Sequence, residues 1–311
     1  MYSPPPGPPP SRVHQGPAGQ EPPPYRDWTD VPDTSLLPPP PILRQEVSPT
    51  SNATEEDATR ATAWCERHPL SAPARLSAQD RQAIGAGALP LLKPREYVGD
   101  LIPRSASTTQ GRTWAGTKDA CLLTRLPLYS ALHHSPLQTG GASKTIYFEV
   151  RVHALGRDGD ASDSSLAIGF CTQPYPTFRL PGWQRGSLGV HSDDGHRFVN
   201  DLWGGKEFTE PFRPGDTVGL GMTFSVSRTP PAYQEAKAAL SQTPAHVEVF
   251  FTRNGKRVGG WDLHEERDAR TDLGVEGLEG RHDVYPAVGV YGGVDFEVSF
   301  APGSFLFVPP L

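Results

Sequence analysis

Hydrophobic and polar residues alternate along the second half of the chain. In Thr145-Ile146-Tyr147-Phe148-Glu149-Val150-Arg151-Val152, the residues Ile146, Phe148, Val150 and Val152 fall on one face, and Tyr147, Glu149 and Arg151 on the other. A period of two predicts a strand with one buried and one partly wet face. Similar short runs occupy Leu166–Cys171, Ser187–His191, Thr217–Phe224, His246–Thr252, Val284–Val290, Val294–Phe300 and Ser304–Val308. Turn residues separate them. Asp193-Asp194-Gly195 predicts a tight turn, and Arg253-Asn254-Gly255-Lys256 carries the Asn-Gly pair favoured by type I′ hairpins. Many short strands with Gly/Pro turns and few helices predict an all-β fold, an antiparallel β-sandwich.

Upstream, the period lengthens. Thr54-Glu55-Glu56-Asp57 has the form of a capping box with acids in the first turn. Ala58, Ala61, Trp64 and Cys65 follow at helical spacing until Pro69, which predicts a helix over about 54–67 that docks its Trp64 face on a larger body. Ser77-Ala78-Gln79-Asp80 opens a second, shorter helix, ended by the glycines at 85 and 87.

The first 50 residues contain 16 of the 35 prolines. Proline fixes φ and lacks an N–H, so this stretch fills neither helices nor central strands. It predicts a disordered arm of polyproline II character. The resulting plan is an arm over 1–50, a lead-in with one or two short helices over 51–125, and a β domain over 126–311.

Net charge is −6, from 29 basic and 35 acidic residues, with no Lys/Arg run. The electrostatic footprint of a nucleic-acid binder is therefore missing. No run of 18 apolar residues exists for a membrane span, and MYSPPPGPPP lacks the charged and apolar regions of a signal peptide. Asn52-Ala53-Thr54 fits a glycosylation sequon, which is a chance match without an export signal. Cys65, Cys121 and Cys171 are odd in number and far apart, as expected of reduced, buried thiols in a cytoplasmic protein.

The strand motifs resemble the SPRY domain, a β-sandwich of concanavalin-like type that binds other proteins. The resemblance is carried by Tyr147-Phe148-Glu149-Val150, Gly182-Trp183, Ser187-Leu188-Gly189-Val190-His191-Ser192-Asp193-Asp194-Gly195, Phe212-Arg213-Pro214-Gly215-Asp216-Thr217-Val218-Gly219, Phe250-Phe251-Thr252-Arg253-Asn254-Gly255 and Tyr285-Pro286-Ala287-Val288-Gly289. These cover about 126–308 in the right order. Pro127-Leu128-Tyr129-Ser130, Pro174-Tyr175-Pro176 and Phe178-Arg179-Leu180-Pro181-Gly182-Trp183 are similar to fungal SPRY adaptors of HECT-type ubiquitin ligases. That resemblance implies a non-catalytic adaptor that couples cargo to a ligase for trafficking or turnover at endosomes or the vacuole. It also implies peripheral association with those membranes and no direct insertion.

Pro22-Pro23-Pro24-Tyr25 is a PPxY motif, in which Pro22, Pro23 and Tyr25 would contact a WW domain. Such segments already populate polyproline II and lose little ordering entropy on binding. The WW-domain ubiquitin ligase is therefore the expected partner of the arm. The first 92 residues also lack lysine, which follows from a composition of only six Lys against 23 Arg. For an unidentified cargo protein, the candidate contacts are Tyr175, Arg179 and Trp183 in the loop after Cys171, with Tyr291 beside Gly292-Gly293. The competing reading of the loop is that Phe178, Leu180 and Trp183 cap the core.

No cofactor, metal or catalytic residue is expected. Asp158-Gly159-Asp160-Ala161-Ser162-Asp163 lacks the Gly and Glu of a calcium loop. Gly140-Gly141-Ala142-Ser143-Lys144-Thr145 has the wrong spacing for a phosphate loop, and His133-His134 has no ligand partners at suitable spacing. Two further readings stand beside the adaptor. One is a SPRY scaffold unrelated to ubiquitin, and the other a carbohydrate-binding sandwich with an aromatic groove and facing carboxylates.

Overall fold

The computed structural model describes residues 54–141, 143–156, 164–226, 245–265 and 274–310. The PPxY residues Pro22, Pro23 and Tyr25, the sequon at Asn52 and the Asp158–Asp163 loop lie outside them. Helix α1 (Glu55–Arg67) starts at Thr54, whose hydroxyl accepts from the Asp57 N–H. Helix α2 (Ala78–Gly85) starts with a complete capping box between Ser77 and Asp80. Two single-turn helices, α3 (Ala131–His134) and α4 (Pro136–Thr139), precede the long strand described below.

The twelve strands among the described residues are all antiparallel to their neighbours. They are β1 (Gly99–Pro103), β2 (Thr108–Thr113), β3 (Ala120–Leu123), β4 (Ser143–Leu155), β5 (Ser165–Thr172), β6 (Ser187–His191), β7 (Arg197–Val199), β8 (Thr217–Ser225), β9 (His246–Arg253), β10 (Lys256–Asp262), β11 (Val284–Tyr291) and β12 (Val294–Ser299). One sheet has the order β1-β2-β12-β4-β8-β9-β10, and the other β3-β11-β5-β6-β7. The inward faces meet in one core. Phe148, Val150 and Val152 of β4 pack with Ile168 and Phe170 of β5, Leu188 and Val190 of β6, and Val288 of β11. The sandwich expected from the period-two runs is the observed architecture. Asn254 and Gly255 take φ of 50° and 76°, the paired left-handed conformation that the β9–β10 hairpin needs.

Two local expectations are corrected. Ser304–Val308 is not a strand. After a 3-10 turn at Pro302–Ser304 it crosses the outer face of the seven-stranded sheet as an extended strap. Trp64 is not the docked residue of α1: Ala61 and Cys65 are buried, whereas Trp64 is half-buried and stacks on His68 at 4.2 Å.

The strap is held by an acid. Glu149 lies on the outward face of β4 yet is 4% exposed. Its carboxyl oxygens accept from the backbone N–H of Leu306 at 3.0 and 2.9 Å, and from that of Phe307 at 2.9 Å. The Tyr147 hydroxyl donates to the same carboxyl at 2.8 Å. Phe305 and Phe307 then pack on the Tyr147 ring, at 5.0 and 5.7 Å between centroids. Hydrogen bonds to a charged acceptor are worth roughly 1.5–3 kcal/mol each, so this cluster anchors a segment with little apolar burial of its own.

Glu149→Gln swaps one acceptor oxygen for an NH2 group facing backbone donors. Urea denaturation is expected to show a loss of about 2 kcal/mol. The Leu306 and Phe307 amides are expected to exchange hydrogen faster; unchanged protection there would contradict the latch.

Candidate functional rim

The loop between β5 and β6, residues 173–186, folds back over the outer face of the five-stranded sheet. Glycines make that approach possible. A Cβ on Gly169 of β5 would lie 2.6 Å from the Pro181 side chain, and one on Gly289 of β11 also 2.6 Å. At Gly189 of β6 a Cβ would meet the Pro181 carbonyl at 2.5 Å. Pro181 therefore rests on bare backbone from three adjacent strands. Leu180, Trp183 and Phe198 cluster at one end of this face, and Tyr175 joins Cys121, Leu123, Cys171, Tyr285 and Ala287 at the other. Both faces of β5 and β11 are consequently buried, which explains their nearly unbroken burial. The Gln173–Pro174 peptide at the start of the loop is cis.

The sequence-derived candidates hold this loop from within. Tyr175 is 4%, Arg179 2% and Trp183 7% exposed, so their side chains do not face a partner. The expectation that they contact cargo is corrected, and core capping describes Leu180 and Trp183. The Tyr175 hydroxyl donates to the Leu180 carbonyl at 2.6 Å, closing the loop on itself. The Arg179 guanidinium stacks 4.4 Å from the Trp183 ring centre. Tyr291 is half-buried at the end of β11, opposite Ser165 of β5.

Charge is buried with the loop. Arg179 Nε and Nη1 and Asp119 Oδ1 are enclosed without hydrogen-bond partners. Burial pushes the Asp119 carboxyl up to about 7 against the opposing pull of Arg179, and burial lowers the Arg179 pKa. Desolvation thus exceeds their mutual attraction on both sides of the pair. His191 is sealed under the loop, with Nε2 2.9 Å from the Pro181 carbonyl and its ring 4.1 Å from Phe198. Burial lowers its pKa to about 4. Tyr175 and the Cys171 thiol are also raised by burial. The three cysteines are unpaired and buried.

Helix α1 lies along the loop. Arg60 stacks 3.9 Å from the Phe178 ring centre. Arg185 donates to the Cys65 and His68 carbonyls, and the Ser71 N–H donates to the Gln173 carbonyl at 2.8 Å. The neighbouring rim, after β7, is open. The Asp201 N–H donates to the Gly182 carbonyl at 2.9 Å, which ties residues 200–205 to the 173–186 loop. Trp203 stands on that tie at 72% exposure, and its backbone N–H donates to Asp201 Oδ1 at 2.7 Å. His196 Nδ1 lies 2.9 Å from the Gly204 carbonyl. A large exposed indole on a pinned turn is the residue type that dominates protein interfaces. Sequence reasoning missed it. The available signal was Trp203-Gly204-Gly205, a bulky residue in a turn that offers no strand to bury it.

Among the described residues, no group of three or more His, Cys, Asp or Glu could hold a metal ion. No helix there is long and apolar enough to cross a membrane. The aromatic outer surface of the seven-stranded sheet, where a sugar groove would lie, is occupied by Phe305 and Phe307 of the strap.

Comparison with known proteins places the SPRY domain family on residues 145–228. Protein ssh4 of Sclerotinia sclerotiorum is 28% identical over 191 residues, 61% of this chain and 27% of that protein. A SPRY domain-containing protein of Schizosaccharomyces pombe is 26% identical, over 63% of this chain and 37% of its own length. Ran-binding protein 9 of Xenopus tropicalis is 41% identical, over 52% of this chain and 22% of its own length. The chain thus spans well under half the length of these relatives.

The buried acid gives a pH signature. Folded Asp119 holds its proton up to about pH 7, whereas the unfolded carboxyl loses it near 3.8, so this group's contribution to stability falls as pH rises through that window. His191 acts oppositely, removing stability as pH falls from 6.5 towards 4. Asp119→Asn isolates the first effect. Its stability relative to the parent chain is expected to rise by on the order of 2–4 kcal/mol between pH 4 and pH 8 in urea titrations. A difference that stays flat or shrinks with pH would contradict the assignment.

Proposed function

We propose that this chain, which carries a SPRY domain over residues 145–228, is a non-catalytic adaptor that binds a cargo protein at its rim and a WW-domain ubiquitin ligase through its N-terminal arm. The SPRY domain is a protein-interaction module, and the observation that carries the cargo half is Trp203. It projects from a turn whose base is tied to the glycine-floored loop, so an interface formed there loses little ordering entropy. Tyr175, Arg179 and Trp183 serve that surface as positioning residues, and Tyr291 lies at the edge of the same sheet face.

The ligase half rests on Pro22-Pro23-Pro24-Tyr25 and on the similarity to fungal SPRY adaptors. A PPxY segment binds a WW domain modestly. Tethering it to a second site raises the effective concentration, so two modest contacts suffice for coupling. The site of action would be the cytoplasmic side of endosomes or the vacuole, reached through the cargo.

The two halves are tested by affinity purification of the full chain with partners identified by mass spectrometry. Tyr25→Ala is expected to lose the WW-domain ligase and keep the cargo. Trp203→Ala is expected to weaken cargo by about 30-fold, the cost of roughly 2 kcal/mol at an interface hot spot, and to keep the ligase. Retention of the ligase by Tyr25→Ala would overturn the adaptor reading and leave the scaffold reading. Undiminished cargo with Trp203→Ala would remove the rim from the account.

A further inference from the structure

A cavity of about 390 Å3 opens at the end of the sandwich, between α2, the start of β4 and the strap. Its volume lies at the lower end of the roughly 300–1,000 Å3 of small-molecule pockets. Ile84, Leu128, Ile146, Phe300 and Phe305 supply apolar wall. Lys144 and Arg81 supply positive charge, His134 supplies an imidazole, and no Asp or Glu lines the space.

Lys144 occupies an unusual position. The alternation of β4 sets it on the inward face with Ile146 and Phe148, directly opposite Phe224 of β8. It is half-buried, and its ammonium has no ion-pair or hydrogen-bond partner among the described residues. Burial lowers its pKa, and burial together with the Lys144 charge lowers His134 to about 4. The Ser130 N–H donates to His134 Nδ1 at 3.0 Å, which leaves the imidazole proton on Nε2 as a donor. A half-buried ammonium beside an imidazole, with no acid at hand, is a cost that an anion would offset.

We propose that this cavity binds a medium-chain aliphatic carboxylate, with its headgroup on Lys144 and its chain against the apolar walls. The apolar walls suit an aliphatic chain, and the Lys144 ammonium, with Arg81 also in the lining, supplies the cation that a carboxylate headgroup needs. Phe305 and Pro309 of the strap form part of the wall, so occupancy and strap attachment support each other. The proposal uses no residue of the rim and none of the PPxY motif, and its failure would leave the adaptor reading intact.

Isothermal titration calorimetry of the full chain with decanoate, below its micellar concentration, tests the proposal. Saturable one-to-one binding is expected, with decanol bound at least about tenfold more weakly because it lacks the charge. Lys144→Met is expected to weaken decanoate by about tenfold or more, and Lys144→Arg to retain most of the affinity. Absence of saturable decanoate binding by the parent chain would overturn the proposal. So would equal affinity for decanol, a comparison that needs no variant to fold. Unchanged decanoate binding by a cooperatively unfolding Lys144→Met would overturn it as well.

Discussion

Contact between Pro181 and the bare backbone of Gly169, Gly189 and Gly289 is the constraint on which the candidate rim depends. A methyl group at any of the three would lift the loop off the sheet. With the loop seated, Tyr175, Leu180 and Trp183 have a surface to bury against, and the five-stranded sheet becomes interior on both faces. The loop also brings Arg179 and Asp119 out of water together, an arrangement whose desolvation cost the surrounding apolar burial must outweigh. The gain is a rim of fixed shape. Its visible part, the Trp203 turn, takes its position from Gly182 one residue beyond that proline.

The opposite sheet is finished by different chemistry. The part of its outer face around Tyr147 and Phe250 is covered by a strap that brings two phenylalanines and is pinned by one carboxyl group. The body is therefore four layers deep, loop on sheet on sheet on strap. The loop covers the five-stranded sheet, whereas Arg112, Arg151 and His153 leave part of the seven-stranded sheet's outer face open beside the loops of the rim. The same closure leaves the end cavity beside Lys144, where strap, helix and strand meet without filling the space.

Much of this fold was legible in period-two runs. β4, β5, β6, β8, β9, β11 and β12 each coincide with a stretch whose apolar residues alternate or run unbroken. Strand β2 was not legible, because Thr108-Thr109-Gln110-Gly111-Arg112-Thr113 carries no apolar residue and is ordered by pairing with β1 and β12. Ser304–Val308 alternates like a strand because Phe305 and Phe307 face inward, yet their partner is a sheet surface and not a neighbouring edge. At the site, composition drew attention to a loop whose Tyr175, Arg179 and Trp183 the structure buries. Aromatics and arginine mark a recognition surface and a capped core equally well, and only the glycine floor, formed by β5, β6 and the sequence-distant β11, tells them apart. Trp203 was hidden for the converse reason, since exposure depends on what fails to pack over a residue.

The proposed adaptor would present one fixed protein-binding edge on its folded body while a proline-rich arm engages a second protein. The most direct measurement is site-specific photo-crosslinking in the full chain. A photoreactive amino acid at position 203 is compared with one at position 258, a residue that is also exposed but lies on edge strand β10. The account predicts a discrete covalent adduct with one cargo protein from position 203 and none from position 258. An adduct from position 258 with none from position 203 would place recognition on the sheet edge and contradict the account.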